Sequence, residues 1–386
     1  MLSGVNVALG VTGSIAAVKT VELAHELRRR GASVRAVMTE SAAGIVHPWA
    51  IEFATGNDVV TGITGGVEHV ELCGVEGWAD VFLIAPATAN TVGKIAAAID
   101  DTPVTTCATT ALGAGVPVAI APAMHEPMYD HPGVLDAIER VEGWGVPFVG
   151  PRIEEGKAKI ATIDAIALEA ARAAGPSPLS GEHVVVTAGA TAEPIDDVRV
   201  LTNRASGKTG RAVARACYAR GADVTLVHAR PNPGDVPWAD LRRVESAAEM
   251  REAVDAAVKG ADALVSAAAI GDYTVDAEPG KIRSGREDLT LALSPTPKLI
   301  DAVRADDPDL PIVGFKLETG GDDELIAGAR RIMDRVGLPV VVANDASVMG
   351  AERTRAVLVR DGSETVFEGT KDELGLRVAE ELADVL

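Results

Sequence analysis

Short, continuously apolar runs alternate with helical patterns along this chain, and the series runs through twice. The first opens with VNVALGVTG, passes into a helix from about Ser14 to Arg30, and continues through SVRAVMT, VFLIAPAT, a helix near Thr91 to Ala98, VPVAIAPAM and VPFVGP. A strand with one solvated face alternates polar and apolar residues. These runs do not, so they belong in a parallel sheet covered on both faces by helices. The segment AAGPSPLSGEH, Ala173 to His183, concentrates Gly, Pro and Ser behind a helix rich in alanine and glutamate, and reads as a linker. The alternation then restarts with HVVVTAG, a helix from about Lys208 to Arg220, DVTLVHA, a helix around Ala247 to Val258, ALVSAAA, PIVGFKLET and PVVVAND. The expected fold class is α/β, with two Rossmann-like, doubly wound three-layer domains at residues 1–174 and 182–386 joined by a linker at 175–181. At 386 residues and 47% hydrophobic, the chain is long enough to build two cores.

The 56 Asp and Glu against 36 Lys and Arg leave a formal net charge of −20. Such a charge repels nucleic acid and anionic membranes, so neither is an expected partner, and a phosphorylated ligand must be held by local amides and a few cations. Acidic residues are spread along the chain and arginine outnumbers lysine, a pattern that salt-adapted surfaces share with ordinary acidic enzymes. With no apolar stretch of about 18 or more residues, and a start, MLSGVNVALG, without the basic flank of a secretory signal, a cytoplasmic location is expected. Cys73, Cys107 and Cys217 are widely spaced and form no CxxC, so they give neither a disulfide framework nor a zinc pattern.

Each series opens on a strand running into a glycine turn, where the backbone can approach an anion and the next helix offers N–H donors. GVTGSIAAVK has Gly10 and Gly13 before Ser14 but lacks the third glycine of a dinucleotide fingerprint. It suits a mononucleotide or flavin phosphate, or simply a tight strand-to-helix turn. RASGKTG ends like a Walker A loop at Gly207-Lys208-Thr209, but Thr202 stands where that loop's first glycine belongs and no strand is expected immediately before it, which argues against a P-loop. PAMHEPMYD, Pro122 to Asp130, gathers two methionines, a histidine, a glutamate and a tyrosine in one Pro-flanked turn. It is open to reading as a metal site, a core plug or a substrate clamp.

Through GVTGSIAAVK, VMTESA, EHVEL followed by WAD, LIAPATANTVGKIA and PAMHEPMY, the first half resembles the flavin-dependent cysteine decarboxylases. The second half is similar to phosphopantothenate-cysteine ligase through VTAGATAEPIDDVRVLTNRASGKTG, AAAIGDY, KIR, VGFKLET and VVANDAS. In this order they resemble the bifunctional phosphopantothenoylcysteine decarboxylase and phosphopantothenate-cysteine ligase family of coenzyme A biosynthesis. The resemblance implies a flavodoxin-like flavoprotein domain before a doubly wound ligase domain, with FMN and Mg2+ as cofactors. It also implies 4'-phosphopantothenate, L-cysteine and CTP as substrates, and a homo-oligomer built from trimers of the first domain and dimers of the second.

For the first half, the implied chemistry is oxidation of the thiol to a thioaldehyde, loss of carbon dioxide to an enethiolate and return of the electrons from reduced FMN. Gly13, Ser14, Thr39, Thr88, Ala89 and Asn90 are the implied FMN contacts, although Thr and Asn there equally suit helix caps. His69 matches the family's active-site histidine, since an imidazole can take a proton near neutral pH, and a packed core histidine is the alternative. With Cys73 four residues on, it offers too few ligands for zinc. Met124, His125, Met128 and Tyr129 form the implied substrate loop, where His125 replaces the family's asparagine, Tyr129 its common tryptophan, and the methionines line an apolar wall. The flap PRIEEGKAKIA holds no cysteine where the family has its proton donor. Lys157, Lys159 or His125 is left for that task, or the half-reaction is organised differently in this branch, or else the half binds flavin or oligomerises without catalysis.

For the second half, the resemblance implies activation of a carboxylate by CTP through an acyl-cytidylate, pyrophosphate leaving before cysteine displaces CMP. Gly189, Ser206, Gly207 and Lys208 form the implied phosphate cradle. Asn203 handles the acyl intermediate, with a helix cap as the alternative, and Arg199 is a phosphate or carboxylate fork, with a surface ion pair as the alternative. Lys281 is the lysine of acyl-cytidylate formation. Ala268, Asp272 and Phe315 correspond to nucleotide contacts, as do Pro297, Lys298, Leu299 and Ile300, where Lys298 replaces an acid, and Arg331 and Arg335, which stand in for later lysines. An NAD-dependent or nucleotide-sugar oxidoreductase is the rival class, but GxGxxG and a Tyr-x-x-x-Lys pair are lacking.

Overall fold

The computed structural model describes residues 1–154, 157–234, 236–283, 288–318, 320–345 and 353–386, with backbone alone at 152–154, 157 and 158. Internal contacts separate two compact units, Met1–Pro176 and Ser177–Leu386. In the first, the unbroken apolar run becomes β1 (Asn6–Val11), buried from Val7 onward. The helix expected from Ser14 begins with a tighter 3-10 stretch, Ile15–Lys19, and continues as α1 (Thr20–Arg29). β2 (Ser33–Met38), α2 (Glu40–Ala43), α3 (Pro48–Thr55), α4 (Glu68–Cys73), β3 (Val81–Ala87), α5 (Ala89–Ala96), α6 (Pro103–Ala114) and β4 (Val118–Pro122) follow. These strands pair in parallel in the order β2-β1-β3-β4. Phe82, Ile84 and Ile120 from the sheet pack with Leu72, Val104 and Val141 from the helices, all fully buried.

Beyond the sheet come β5 (Met124–His125), α7 (Glu126–Tyr129), α8 (Pro132–Glu142), β6 (Arg152–Glu154), β7 (Lys157–Lys159) and α9 (Ile163–Ala174). The strand expected at VPFVGP does not form. Phe148 makes one parallel bridge to Ile120, and Pro147 and Pro151 on either side lack the N–H a ladder needs. The helix expected at Thr91 to Ala98 starts two residues earlier because Thr88 caps it, and it ends before Ala98, whose φ is 54°.

The second unit contains β8 (His183–Ala188), β9 (Ala192–Pro194), β10 (Val200–Thr202), α10 (Lys208–Ala219), β11 (Asp223–His228), β12 (Asp240–Arg243), α11 (Ala247–Ala257) and β13 (Ala263–Ser266). Then come β14 (Tyr273–Val275), β15 (Leu293–Pro295), α12 (Leu299–Asp306), β16 (Ile312–Glu318), α13 (Asp322–Val336), β17 (Val340–Asp345), β18 (Arg353–Arg360), β19 (Ser363–Thr370) and α14 (Lys371–Ala383). The main sheet has the order β12-β11-β8-β13-β16-β17-β18-β19, parallel through β17 and antiparallel beyond it. The chain leaves central β8 first to one side and then to the other, the arrangement that opens a crevice at the strands' carboxyl ends. A short strand, β10, does precede RASGKTG, contrary to the sequence reading. It pairs only with β9, outside the main sheet, so the loop still lacks a P-loop's setting. Among the described residues no helix is long and apolar enough to cross a membrane.

Candidate functional site

In the first unit, the carboxyl ends of β1, β2 and β3 meet in three polar turns. Ser14 Oγ accepts from Ala16 N at 3.4 Å, and a Cβ on Gly13 would stand 2.3 Å from Ser41 Oγ, so the first two turns touch where only glycine fits. Thr39 Oγ1 accepts from Ala42 N at 3.2 Å and lies 3.1 Å from Ser41 Oγ. Thr88 Oγ1 accepts from Thr91 N at 3.2 Å, while Thr88 N donates to the buried Thr12 hydroxyl at 3.0 Å. Thr39 and Thr88 are thus helix caps, with Ala89 and the exposed Asn90 opening α5 beside them. Capping does not oppose ligand binding, because it leaves hydroxyls and first-turn N–H groups together at one edge. That donor set fits the phosphate ester of a flavin mononucleotide.

His69 is the second residue of α4 and half-buried, and its Nδ1 is buried with no protein partner. The helix is started under constraint. Val67 before it has φ 57°, a left-handed conformation costly for a β-branched residue. Glu68 reaches back to accept the Thr64 hydroxyl and, at 2.8 Å, the Thr64 N–H, bonds that hold its carboxyl below the usual range. Cys73 turns into the core against Cys107, whose thiol is pushed up by that contact and by burial. Among the described residues no three His, Cys, Asp or Glu side chains converge on a metal position.

PAMHEPMY folds as β5 and α7. Met124 is half-buried, while His125 and Met128 are exposed. Tyr129 packs at the edge of the core, its hydroxyl raised by burial and by the charges of Glu142 and Asp130. The flap lies on this loop: β7 runs antiparallel to β5, with Lys157 opposite His125 and Ala158 opposite Met124. The side chain of Lys157 lies outside the described residues; Lys159 is half-buried and already engaged.

In the second unit a cavity of about 1260 Å³ opens at the carboxyl ends of β8, β13, β16 and β17. One wall is Gly189 with Asn203, Ser206, Gly207 and Lys208, at the start of α10. Another is Ala268 and Asp272 with Pro297, Lys298, Leu299 and Ile300. Phe315 from β16 and Arg331 and Arg335 from α13 close the third. Asn203 Nδ2 donates to Ala269 O at 2.8 Å, and its Oδ1 accepts from Ala205 N at 3.0 Å. Lys298 is paired with Asp272 across the mouth, so the lysine that replaces an acid has found an acid two segments away. Arg335 is paired with Asp301, and Glu318 takes Lys316 at 3.2 Å and Arg331 at 3.7 Å.

Residues 1–173 match the family described as Flavoprotein, and residues 179–386 match the DNA/pantothenate metabolism flavoprotein C-terminal domain. The coenzyme A biosynthesis bifunctional protein CoaBC of Thermococcus kodakarensis is 49% identical, the alignment covering 100% of this chain and 96% of the relative. Relatives of the same name from Methanocaldococcus jannaschii and Bacillus subtilis are 34% and 35% identical, covering 99% and 91% of this chain and 94% and 88% of their own. This chain belongs to the bifunctional coenzyme A biosynthesis protein family. It is an enzyme with a flavoprotein decarboxylase half followed by a ligase half.

In this family member two expected ligase residues stand off the cavity wall. Arg199, expected as an open fork, donates to Asp196 Oδ2 at 2.5 Å and to Ile282 O at 3.3 and 3.2 Å. Its guanidinium is committed within the chain because a buried carboxylate lies three residues away. Lys281 is exposed and does not line the cavity, sitting beside that same clamp. Burial alone would raise the Asp196 pKa, but N–H donors from Val198, Arg199 and Ile282 and the Arg199 charge hold it below the usual carboxylate range.

Sequence reasoning missed Lys316, Glu318, Asn344 and Lys371 on the cavity wall. A signal for Lys371 was present: Thr370 and Glu373 form a capping box, which places a lysine at the first position of α14, against the helix dipole. Asn344 is 8% exposed and its Oδ1 has no partner.

Beneath the glycine loop at Ser206 to Lys208, Arg211 Nη1 donates to Ser206 O at 3.1 Å and to His228 Nε2 at 3.0 Å, and His228 Nδ1 lies 2.5 Å from Ala229 O. Burial first, then the Arg211 and Arg243 charges, hold the His228 pKa below the ordinary imidazole range, against the Ala229 bond. Folded His228 therefore binds fewer protons than unfolded. Its stabilisation is complete above about pH 6.5 and is lost as pH falls from there through the folded pKa. We expect the urea midpoint of the ligase transition to fall on acidification from pH 7 to 5, and His228→Gln to flatten that fall. An unchanged slope would refute the assignment.

Proposed function

We propose how the two reactions are divided among these residues, with residues 182–386 as the ligase, 1–174 as the decarboxylase and 175–181 as the linker. In the ligase, the carboxylate of 4'-phosphopantothenate attacks the α-phosphorus of CTP. The bond to the β-phosphate breaks, pyrophosphate leaves, and the cysteine amine then displaces CMP from the acyl-cytidylate. Gly189, Ser206, Gly207 and Lys208 hold phosphate with the first turn of α10. Ala268, Asp272, Phe315 and the segment Pro297 to Ile300 seat the nucleoside, and Arg331 and Arg335 supply charge. Asn203 holds the developing oxyanion, while Lys281, which stands off the cavity wall on the strap that Arg199 holds, would have to be brought to the phosphorus to neutralise charge there. The observation that carries this reading is that one cavity gathers segments from Gly189 to Arg335 at the sheet's carboxyl edge. Magnesium would come with the nucleotide: the wall carboxylates Asp272 and Glu318 are already paired with Lys298, Lys316 and Arg331, which suits a cation held largely by phosphate oxygens.

In the decarboxylase, FMN when bound supplies the electron sink that accepts two electrons from the thiol and returns them. Gly13, Ser14, Thr39, Thr88, Ala89 and Asn90 hold it at the β1, β2 and β3 turns. His69 takes the thiol proton. His125 donates a hydrogen bond to the cysteine carboxylate, and Met124, Met128 and Tyr129 wall the substrate. His125 also stands in the flap-and-loop sheet, opposite Lys157, where the proton is returned. Ile15, Trp49, Phe53 and Val75 are large apolar side chains each at least 75% exposed, and we assign them to contacts within a trimer of this unit. Val198 and Tyr273, 65% and 53% exposed, support the dimer contact of the second. We place the enzyme in the cytoplasm.

The test supplies phosphopantothenate, cysteine, CTP and magnesium to the yellow purified chain. Phosphopantetheine and carbon dioxide are expected. Accumulation of phosphopantothenoylcysteine without carbon dioxide would sink the decarboxylase assignments and leave the ligase. His125→Asn should retain turnover within about tenfold and shift its pH profile, since an amide binds the carboxylate but carries no proton. An unchanged profile would remove His125 from proton return.

A further inference from the structure

Asp196 has no role in the reading above, yet its side chain is 0% exposed and each of its oxygens takes two donors. Oδ1 accepts from Val198 N at 2.8 Å and Arg199 N at 2.7 Å; Oδ2 accepts from Ile282 N at 3.0 Å and Arg199 Nη1 at 2.5 Å. A buried charge persists only where its lone pairs are filled this way. What Asp196 joins is distant in sequence: the turn at 195–199 and the strap at 278–283, which carries Lys281. The strap is fastened twice. Glu278 N donates to Ile195 O at 3.0 Å, and Ile282 has its N–H held by Asp196 and its carbonyl held by the Arg199 guanidinium. Ile282 is 6% exposed, while the neighbouring Lys281 is turned to solvent. One buried carboxylate therefore fixes Arg199 and the backbone of Lys281 relative to each other.

We infer that Asp196 is a positioning residue for carboxylate activation, setting through Arg199 and Ile282 where Lys281 is presented to the substrate. The inference rests on the ligase reading of Lys281. A packed apolar residue could stabilise this turn as well as a charge does. A carboxylate, unlike an amide, presents two acceptor oxygens, one for the two turn N–H groups and one for the guanidinium and the strap N–H; an amide would turn its NH2 on two of those donors. The strap is irregular backbone with no sheet ladder of its own, and a lysine on such a segment keeps a reactive geometry only if its flanking residue is locked. A misplacement of about 1 Å costs on the order of a hundredfold in rate.

The experiment separates the two half-reactions in the full-length enzyme. Phosphopantothenate-dependent exchange of labelled pyrophosphate into CTP reports activation, and cysteine-dependent consumption of supplied acyl-cytidylate reports the second step. Asp196→Asn is expected to lower the exchange kcat about a hundredfold. CTP affinity should stay within about twofold and the second step within about threefold, the pattern a misplaced Lys281 gives. Combined with Lys281→Gln, it should add no further loss, since both act through one group. Should Asp196→Asn lower the melting temperature, Arg199→Lys decides: it keeps the charge but cannot span Asp196 and Ile282, and should show the same split. A parallel fall of both half-reactions, a fall in CTP affinity, or a multiplicative double variant would overturn the positioning role. Failure of the wild-type enzyme in both half-reactions would instead overturn the ligase reading itself.

Discussion

Replacing His69 with glutamine is expected to lower carbon dioxide release about a thousandfold and to leave ligation within about twofold, so that phosphopantothenoylcysteine accumulates. The size follows from what glutamine lacks. It can donate and accept hydrogen bonds in a similar place, but it cannot take up a proton near neutral pH, and a positioned acid–base group is worth about a hundred to ten thousandfold. The geometry supports a group held ready for such work. Nδ1 is buried with no protein partner, while α4 is pinned by Glu68 on Thr64 and by Val67 at φ 57°. Among the described residues, those lining the ligase cavity all belong to the second unit, which is why its rate should not follow. Separate assays of carbon dioxide and of phosphopantothenoylcysteine in one reaction give the answer, and wild-type carbon dioxide release from the variant would remove His69 from proton transfer.

What the sequence disclosed follows from how local each determinant is. The helices expected at Lys208 to Arg220 and Ala247 to Val258 form within one residue of those limits, because the glycine turn before Lys208 and the Ser246 cap are written next to them. VPFVGP misled because apolar content says nothing about donors, and two prolines removed the ones a strand required. The antiparallel edge, Arg353–Arg360 with Ser363–Thr370, was passed over since ETVFEGT is half exposed and reads as neither a buried run nor a helix. At the site, residues carried in contiguous motifs were foreseeable. Ser206, Gly207 and Lys208 reach the cavity together. For Arg199 the ion pair weighed as its alternative was within local reach, with Asp196 three residues away, but its hold on Ile282 was not, because no local pattern links two segments that far apart. Asn344 and Lys371 come from β17 and α14, later strokes of the sheet, and only the closed sheet brings them to the wall that Gly189 begins.

Replacing Gly207 with alanine is expected to lower ligation by about two to three orders of magnitude, while supplied phosphopantothenoylcysteine is still decarboxylated. Gly207 caps α10 at φ 70°, and a Cβ there would stand 2.9 Å from both Gly189 N and His228 Nε2 and 3.0 Å from Gly189 Cα. None of these can step aside. Gly189 is itself left-handed, at φ 86°, with room for no Cβ of its own against Arg230 O at 2.7 Å, and His228 is fastened by Arg211 and Ala229. The methyl therefore displaces the loop, and with it the first-turn N–H groups of α10 that the proposed ligase site turns on phosphate. Strain and displacement can be told apart within the same unit. Gly337 also sits at φ 70°, as the C-cap of α13, but a Cβ there meets nothing within 4 Å. Gly337→Ala bears the left-handed cost of about 1–2 kcal/mol alone and should lower stability by about that much with ligation intact. If Gly207→Ala behaves as Gly337→Ala does, with CTP affinity retained and only the melting temperature lowered, the glycine serves its own backbone angle and the loop is no phosphate cradle. If CTP affinity and ligation collapse in Gly207→Ala alone, close approach of the loop to its ligand is what the glycine provides.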